Sequence, residues 1–311
     1  MTDSIFHIPE RLQRGDCIGI FAPAGQIRDT KSLEQGLIIL QEMGFEVKFP
    51  RNLWPGKGYL ADTDSNRAKE FHKMLVDDDV SALLALRGGF GCLRLLPLLD
   101  FKTLRKNPKP IIGFSDLTIL HNVLCEKSRL LSFHGPTLCS LNSCSPDSLQ
   151  HFHASLTGNW DKTIRSKTIE ILRGGDTVSG YLKGGNLCSL VSLLGTPFQP
   201  NFTDSILFLE DIGEPLYKLD RMFSQLAQCS VLSQPSAILL GDFSPSSEID
   251  SLESIRFHEE IWTRVLKLTE NTNIPVWGNF PVGHGSTNLT LPHGSLANAN
   301  SCQASLSFSH P

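Results

Sequence analysis

What this 311-residue sequence lacks already excludes several kinds of protein. Its eight cysteines contain no Cys-x-x-Cys pair and are scattered through apolar segments, which favours reduced core thiols over a disulfide framework or a structural metal site. The formal net charge of -4 provides no broad basic surface, so nucleic acid and anionic membranes are not expected partners.

Segments that direct a chain into or across a membrane are also missing. Residues 1–7 show no positively charged stretch followed by an apolar core, and no later segment approaches the ~20 apolar residues of a transmembrane helix. We therefore expect a cytoplasmic protein. With 40% hydrophobic and 19% charged residues, the chain is long enough for two domains of about 150 residues each.

The first 125 residues alternate short apolar runs with amphipathic segments, which is the pattern of a parallel sheet covered by helices. Ligands of such sheets bind in the crevice outside the carboxyl ends of the strands. Three segments that follow predicted strands are therefore expected to lie side by side: residues 22–25, residues 87–91 and the turn at Ser115.

The character of the sequence changes in the middle of the chain. Residues 142–180 turn polar and lose their periodicity in places, and the segments that follow predict a mixed α+β arrangement. We therefore expect an α/β protein with a first domain at residues 1–150, a linker region at 151–180 and a C-terminal domain at 181–311. The end of the chain, residues 301–311, is predicted to be a frayed or edge segment.

A strand-to-helix turn at Ser115 is the first candidate for chemistry. The buried-strand pattern of residues 111–114 stops there, and apolar residues then recur at helical spacing. Such a turn lifts a hydroxyl out of the sheet beside free backbone N–H groups, where an acyl-transfer nucleophile belongs. Serine is also a preferred N-cap residue, so the sequence leaves a catalytic and a capping role open.

A serine nucleophile needs a neutral imidazole that is oriented by a carboxylate. Of the ten histidines, His284 stands out because it lies between two glycines just past a predicted strand, while His134 is a further candidate to line the crevice. Three acids follow the apolar run 205–209. Glu210 is the preferred orienting acid, with Glu214 as its rival, because acids after strands also begin helices.

An oxyanion hole needs two donors aimed at the developing charge. The glycine-rich segment after residue 86 offers such N–H groups, and the amides of Gly89 and Asp116 are the expected pair. As a phosphate-binding loop the segment is a weak match, because it fits neither Gly-x-Gly-x-x-Gly nor Gly-x-x-x-x-Gly-Lys-Ser/Thr.

Seven short motifs occur in a fixed order along the chain: residues 21–25, 87–91, 113–116, 134–136, 184–187, 209–211 leading to 220–221, and 283–285. Each motif is generic alone, but the seven in order are specific. Together they resemble the muramoyl-tetrapeptide LD-carboxypeptidase family, serine peptidases whose relatives include the microcin C immunity proteins.

The resemblance implies a Ser-His-Glu triad at Ser115, His284 and Glu210, a Rossmann-like N-terminal parallel-sheet domain and a smaller C-terminal α+β domain. It implies hydrolysis of an amide bond between an L-centre and a D-residue, as in the release of terminal D-alanine from murein tetrapeptides during cytoplasmic peptidoglycan recycling. The expected partner is thus a small peptide, the expected assembly a homodimer, and neither a metal nor an organic cofactor is expected.

A carboxypeptidase must also recognise the free carboxylate at the end of its substrate. Arg87 and the backbone of Gly88, beside the expected oxyanion site, are candidates for that role, although Arg87 could instead pair with a structural acid. Two other functions stay open. One is a microcin-immunity-type hydrolase of peptidyl or aminoacyl nucleotides, and the other is a small-molecule binding protein without catalysis.

Overall fold

The computed structural model of the chain describes residues 6–51, 53, 56–245 and 250–309. It divides into two compact units. The first comprises Met1–Trp160 and Leu289–Gly294, and the second comprises Asp161–Asn288 and Ser295–Pro311. The chain therefore leaves the second unit once, contributes a short segment to the first, and returns.

Fourteen strands lie in the described residues: β1 (Cys17–Phe21), β2 (Glu46–Lys48), β3 (Ala82–Ala85), β4 (Ile111–Gly113), β5 (Ser132–His134), β6 (Ile164–Arg165), β7 (Glu170–Arg173), β8 (Val178–Asn186), β9 (Ser205–Ile212), β10 (Ala237–Ser244), β11 (Val276–Gly278), β12 (Leu291–His293), β13 (Leu296–Asn300) and β14 (Ser305–Ser309).

Nine α-helices lie in the same part of the chain: α1 (Thr30–Glu42), α2 (Asp64–Leu75), α3 (Cys92–Leu95), α4 (Phe101–Lys106), α5 (Thr118–Ser128), α6 (Pro146–Leu156), α7 (Leu187–Val191), α8 (Leu216–Gln228) and α9 (Ser251–Leu268). Short 3-10 helices occupy Leu96–Leu98, Ser115–Leu117, Leu138–Ser143 and Val231–Ser233. None of the described helices is both long and apolar enough to cross a membrane.

Polar side chains fix where several helices begin. Asp29 accepts hydrogen bonds from the amides of Lys31 and Ser32 at the start of α1, and Asp250 does the same for the first amides of α9. Ser145 caps α6, whose first residue is a proline. Each side chain satisfies a backbone donor that has no partner inside its helix, which stabilises the helix by about 1 kcal/mol.

The sheet of the first unit has the strand order β12-β5-β4-β3-β1-β2. Strands β1 to β5 pair in parallel, and their central members are fully buried apolar runs, as expected for strands with helices on both faces. The predicted α/β class with a parallel N-terminal sheet is confirmed. One edge strand was not predicted, because β12 comes from late in the chain and pairs antiparallel with β5.

The second unit contains a mixed sheet with the order β6-β14-β13-β8-β9-β10-β11-β7. Its centre, β8 to β11, is parallel, while the remaining strands pair antiparallel. Helices α8 and α9 pack on this sheet through a core that includes Leu207, Leu240, Phe223, Trp262 and Val265. The expected α+β character of the C-terminal part is therefore confirmed.

Two expectations about the chain's organisation differ from the structure. Residues 151–180 are not a linker, because they hold the end of α6, strands β6 and β7 and the start of β8. The segment 305–309 is not an edge, since β14 pairs with β13 on one side and with β6 on the other. The strand was not predicted because most of its residues are small and polar, although alternate side chains along it are buried. Residues 310 and 311 lie outside the described residues.

The eight cysteines are all free thiols. Cys92 and Cys125 are buried, as expected for core thiols, but Cys188, Cys229 and Cys302 are exposed. The expectation of core positions is therefore wrong for these three, because the apolar segments that contain them form helices or turns with one face toward solvent.

His121 links four elements of the first unit. Its buried Nε2 donates to the carbonyl of Gly113 at the end of β4 (2.7 Å), so its Nδ1 accepts from the hydroxyl of Ser132 on β5 (2.8 Å). Its ring stacks on that of His293 in β12, with centroids 5.8 Å apart. Burial lowers the pKa of His121 to about 4.

This low pKa predicts an acid-sensitive first unit. The folded protein resists protonation of His121 while the unfolded chain accepts a proton near its ordinary value of 6.5, so stability that is complete above pH 6.5 is lost as pH falls toward 4. We expect His121 to contribute a loss of about 3 kcal/mol in unfolding free energy over that interval. Urea unfolding of wild type and of His121→Gln, measured at several pH values, isolates this contribution as the difference between the two curves.

The control is His153→Gln, which removes a half-buried histidine on α6 that packs on Phe45. This variant measures the general effect of replacing a histidine of the first unit by glutamine. Parallel curves for wild type and His121→Gln would contradict the role assigned to His121.

Candidate active site

The backbone at Ser115 is in the left-handed region, with φ of +65°. This conformation is costly for a residue with a side chain and is concentrated at functional sites. Within this described segment, the cap positions of the 3-10 helix and of α5 are Phe114 and Leu117, and neither helix has a side-chain cap. Ser115 therefore does not serve as an N-cap, and its catalytic role stays a prediction.

Gly113 lets the chain reach this turn. Its φ is +156°, and a Cβ there would lie 2.3 Å from Cδ2 of Leu117 and 3.0 Å from Cβ of Ala85. The first contact is closer than real Cβ atoms approach, and the second is tighter than most of their contacts. The glycine two residues before the serine is therefore required where the strand passes into the helix.

Gly88 packs directly on Ser115. A Cβ at Gly88 would lie 2.8 Å from Cβ and 2.9 Å from Oγ of the serine, and the carbonyl of Gly88 accepts a hydrogen bond from the amide of Gly25 (3.2 Å). The three segments expected to be neighbours therefore do meet at the carboxyl edge of the first sheet.

The two amides expected to form the oxyanion hole lie in this same cluster. The amide nitrogen of Asp116 is 3.7 Å from a Cβ built on Gly88, and Asp116 lies in a first helical turn, where amides have no acceptor inside the helix. Gly89 packs on Gly25, with a Cβ built on Gly89 3.4 Å from the Gly25 nitrogen. Both amides thus belong to the loop cluster around Gly25 and Gly88, and their role as oxyanion donors stays a prediction.

Arg67 on α2, which was not identified from the sequence, connects the loops at residues 22–25 and 87–91. It is buried, and its Nη1 donates to the carbonyls of Gly91 (3.2 Å) and Pro23. The buried carboxylate of Asp116 accepts from the amide of Cys92 (2.8 Å), and burial raises the pKa of that carboxyl. The sequence contained an indication of this role, because Arg67 is a charged residue on the apolar side of α2, one turn before the buried Phe71.

Arg87 is held by the backbone and is half-buried. Its Nη1 donates to the carbonyl of Gln26 (3.0 Å), and burial, aided by the charge of Arg28, lowers the pKa of its guanidinium. This hydrogen bond fixes the guanidinium next to Gly25, since a Cβ built there would lie 2.7 Å from Nη1. The guanidinium therefore sits in the loop cluster rather than extending into solvent.

The second unit contains a buried imidazole–carboxylate pair. Nδ1 of His284 lies 2.7 Å from Oε2 of Glu210, and the exposed fraction of the side chain is 12% for the histidine and 0% for the glutamate. Burial alone would lower the pKa of His284, but the charges of Glu210, Asp211 and Asp242 outweigh it and the pKa is raised. Glu210 thus orients the ring and leaves Nε2 as the atom that can accept a proton.

Glu214 does not contact His284 in the described structure. Its Oε2 lies 3.2 Å from Nζ of Lys218, one turn into α8. The difference follows from strand position, because Glu210 is still inside β9 and faces inward, while Glu214 has left the strand. Of the two acids considered, Glu210 is the one paired with the imidazole.

The loop that carries His284 is fixed along β10. The amide of Phe280 donates to Leu240, and the carbonyl of Val282 accepts from the amide of Asp242, at 2.9 and 2.8 Å. Gly283 has φ of +139°, and a Cβ there would lie 2.7 Å from Cβ of Asp242. Gly283 is therefore needed for a close approach between the loop and the strand.

Asp242 is the functional candidate that the sequence analysis missed. It lies near the end of the apolar strand β10, the same kind of position that identified Glu210 on β9.

The structure corrects the expectation that His134 lines the crevice. It is fully buried in β5, 6.1 Å from the ring of Phe114, and lies inside the unit rather than lining a crevice. Within the described residues no cluster of His, Cys, Asp and Glu side chains could hold a metal ion.

The sequence matches two family profiles in chain order. A profile described as the LD-carboxypeptidase N-terminal domain matches residues 18–135, and one described as the LD-carboxypeptidase C-terminal domain matches residues 179–298. The chain therefore belongs to the LD-carboxypeptidase family, peptidase family S66. The resemblance inferred from the seven motifs is confirmed.

Individual relatives cover almost the whole chain. A probable murein peptide carboxypeptidase of Bacillus subtilis (strain 168) is 34% identical over 306 residues, which is 96% of this chain and 93% of the relative. The crystal structure of a muramoyltetrapeptide carboxypeptidase from Oxalobacter formigenes is similar with a TM-score of 0.79 at 30% identity, covering 94% of this chain and 97% of that one.

A second kind of relative is equally similar in structure. The crystal structure of an MccF-like protein from Bacillus anthracis str. Ames has a TM-score of 0.86 at 26% identity and covers 98% of this chain and 100% of that one. MccF is a microcin C7 self-immunity protein. The fold is therefore common to murein peptidases and immunity proteins.

Gly88→Ala is expected to disturb Ser115 without unfolding the protein. The added methyl would lie within 3 Å of the serine Cβ and Oγ, so the hydroxyl must move, and a displacement of about 1 Å can cost ~10²-fold in rate. The rate of labelling by a serine-directed phosphonate measures the loss. Gly174→Ala, where the new methyl meets only ordinary contacts, is the control. Equal labelling of both variants would contradict the assigned packing.

Glu210→Gln is expected to lower the pKa of His284, because the attraction of the carboxylate is lost while burial remains. In the wild type the pKa of His284 lies above 6.5. The neutral ring, which is the form that can act as a base, is therefore lost as the pH falls through that pKa. Histidine NMR titration measures both midpoints, and Glu214→Gln serves as the matched control. A shift in the control as large as in Glu210→Gln would refute the pairing.

Proposed function

We propose that this chain is a serine carboxypeptidase that releases terminal D-alanine from peptidoglycan-derived tetrapeptides by hydrolysing an L,D amide bond. The observation that carries the proposal is the strained, uncapped turn at Ser115, packed on Gly88 at the carboxyl edge of the first sheet. Similarity to a probable murein peptide carboxypeptidase and to a muramoyltetrapeptide carboxypeptidase supports the substrate class.

The proposed reaction uses Ser115, His284 and Glu210 as a triad. Nε2 of His284 takes the proton of the serine hydroxyl while Oγ attacks the scissile carbonyl, and Glu210 stabilises the imidazolium through Nδ1. The amides of Gly89 and Asp116 stabilise the oxyanion. His284 then protonates the leaving amine of D-alanine, and water, activated in the same way, releases the peptide from the serine.

In this mechanism the two domains supply different catalytic groups. The N-terminal domain supplies the nucleophile and the oxyanion donors, and the C-terminal domain supplies the acid and the base. It requires that the Ser115 hydroxyl and Nε2 of His284 come within hydrogen-bond reach at a common cleft.

Recognition of the terminal carboxylate is assigned to Arg87 and the backbone of Gly88. The guanidinium is fixed by its bond to Gln26 next to the loop that packs on Ser115. A fixed guanidinium loses little freedom on binding a carboxylate, which favours this role. The proposal also places the protein in the cytoplasm as a homodimer that acts on a small peptide and does not require nucleic acid or a membrane.

A second candidate is hydrolysis of a peptidyl or aminoacyl nucleotide by the same triad. The observation that favours it is the high structural similarity to the MccF-like protein. A non-catalytic binding protein is the third candidate, and it differs from both because it predicts an unreactive Ser115.

Ser115→Ala is expected to lower the release of D-alanine from a tetrapeptide by ~10⁴ to 10⁶-fold, since the covalent step needs the hydroxyl. The released D-alanine is measured with a D-amino-acid oxidase assay. The control is Ser128→Ala at the last residue of α5, which removes a serine hydroxyl that donates to the carbonyl of Phe101 (3.3 Å) and is expected to stay active.

Near-normal release by Ser115→Ala would refute the triad. Hydrolysis of an aminoacyl sulfamoyl adenylate in place of the peptide would favour the second candidate. Failure of the wild type to react with a serine-directed phosphonate would favour the third.

A further inference from the structure

Arg67 on α2 is a charged side chain that the fold buries almost completely, with 2% of the residue exposed. Its Nε donates to the carbonyl of Asp62 (3.2 Å), and its Nη1 donates to the carbonyls of Gly91 (3.2 Å) and Pro23. Its Nη2 lies 2.5 Å from Oδ1 of Asp64. All three nitrogens of the planar guanidinium are therefore engaged, in directions that a single ammonium nitrogen could not cover.

The ion pair with Asp64 does not by itself explain why this arginine is buried. Arg94 on α3 pairs with the same carboxylate, since its Nη2 lies 2.7 Å from Oδ2 of Asp64, and the side chain of Arg94 is 43% exposed. A surface arginine is thus sufficient to pair that acid. Arg67 differs because it also bonds the backbone of two loops, residues 22–25 after β1 and residues 87–91, the glycine-rich loop, after β3.

The end of the glycine-rich loop packs directly on the guanidinium. A Cβ built on Gly91 would lie 2.8 Å from Nη1 of Arg67 and 3.2 Å from the carbonyl oxygen of Pro23. Gly91 also has φ of +142°, a conformation that residues with a side chain rarely adopt. The loop therefore requires glycine at the position where it meets Arg67.

The same glycine connects the loop to the turn that carries Ser115. Asp116 is the next residue in that turn, and its buried carboxylate accepts hydrogen bonds from the amides of Gly91 and of Cys92, the latter at 2.8 Å. Burial raises the pKa of Asp116, and the charge of Arg67 opposes that rise. Gly91 thus donates to Asp116 and accepts from Arg67, so one residue joins the loop to both charged side chains.

These bonds matter for acyl transfer because the two expected oxyanion donors belong to different segments. The amide of Gly89 lies in the glycine-rich loop, and the amide of Asp116 lies in the turn at Ser115. Such donors stabilise the transition state only when both are held about 2.7–3.1 Å from the oxyanion. The bonds made by Gly91 hold the two segments at a fixed separation.

We propose that Arg67 is a positioning residue of the oxyanion hole, which together with the carboxylate of Asp116 fixes the glycine-rich loop so that the amide of Gly89 is aimed at the oxyanion. The inference rests on the proposed function, which assigns the amides of Gly89 and Asp116 as oxyanion donors. Arg67 acts through backbone carbonyls and does not touch the substrate. Its loss is therefore expected to weaken stabilisation of the transition state and to leave binding of the peptide unchanged.

Arg67→Lys is the test, because lysine keeps the positive charge but its one nitrogen cannot reach the carbonyls of both loops. We expect kcat for D-alanine release to fall about 10²-fold, as for loss of one oxyanion donor, while KM stays close to the wild-type value. The rate of labelling by a serine-directed phosphonate should fall in parallel, since its oxygen occupies the oxyanion site. Calorimetric affinity for the tetrapeptide, measured in Ser115→Ala with and without Arg67→Lys, should not change.

The matched control is Arg51→Lys, which replaces another arginine beside α2. Arg51 pairs with Glu70 and with Asp62 (3.3 Å), and it donates to the carbonyl of Ala61 (3.1 Å). None of these three partners belongs to residues 22–25 or 87–91, so kcat is expected to stay at the wild-type value. Equal losses of kcat in the two variants would overturn the inference, because the effect would then be a general weakening around α2.

Two further results would count against the role of Arg67. A rise in KM with unchanged kcat in Arg67→Lys would show that Arg67 contributes to substrate binding instead. If Arg67→Lys does not fold, Asp116→Asn replaces it as the test, because it removes the charge and one of the two acceptor oxygens while keeping the size of the side chain. The same selective loss of kcat is expected, and a wild-type kcat in Asp116→Asn would overturn the inference.

The wild type tests the proposed function separately. If it releases D-alanine and Arg67→Lys keeps the wild-type kcat, the inference fails and the proposed function stands. If it reacts with the phosphonate but releases no D-alanine, the substrate assignment fails, and the labelling rates of the variants decide the inference. If the wild type does neither, both proposals fail.

Discussion

The packing of Gly88 on Ser115 is the constraint on which the carboxyl edge of the first sheet depends. Only a residue without a side chain leaves room for the serine Cβ and Oγ at these distances. The same segment holds the first loop through the Gly25–Gly88 hydrogen bond, and buried Arg67 joins both ends of the arrangement through backbone carbonyls. The strain at Ser115 is therefore maintained by the neighbours that pack on this turn.

The second unit meets a different constraint, which is to keep a carboxylate fully buried. Oε1 of Glu210 has no hydrogen-bond partner in the described structure, so the 2.7 Å bond from His284 to Oε2 is the contact that stabilises this side chain. An unpaired buried charge would cost several kcal/mol. The imidazole is consequently held in one orientation, and the loop that carries it is fixed along β10 by two backbone hydrogen bonds.

Local patterns in the sequence predicted the features that local physics determines. The turn at Ser115, the glycines around His284 and the acid at the end of β9 are all set by short-range sterics and strand endings. Features that need contacts between distant segments were missed. Strand β12 joins the first sheet from residue 291 onward, β14 is internal although its residues are polar, and His134 is buried by elements that the sequence did not bring together. Arg67 was missed for the same reason, because the carbonyls that accept hydrogen bonds from its guanidinium belong to loops that meet only in the folded chain.

Two carboxylates near one imidazole have different environments, and this difference gives them different uses. Glu210 is fully buried and bonds the ring, whereas Asp242 is partly exposed and shares its charge with a hydroxyl and a second histidine. Both raise the pKa of His284. Loss of either carboxylate would therefore lower the pKa of His284, because the attraction that favours the protonated ring would weaken. Only the loss of Glu210 would also release the ring from its orientation, since Nδ1 of His284 bonds the carboxylate of that residue.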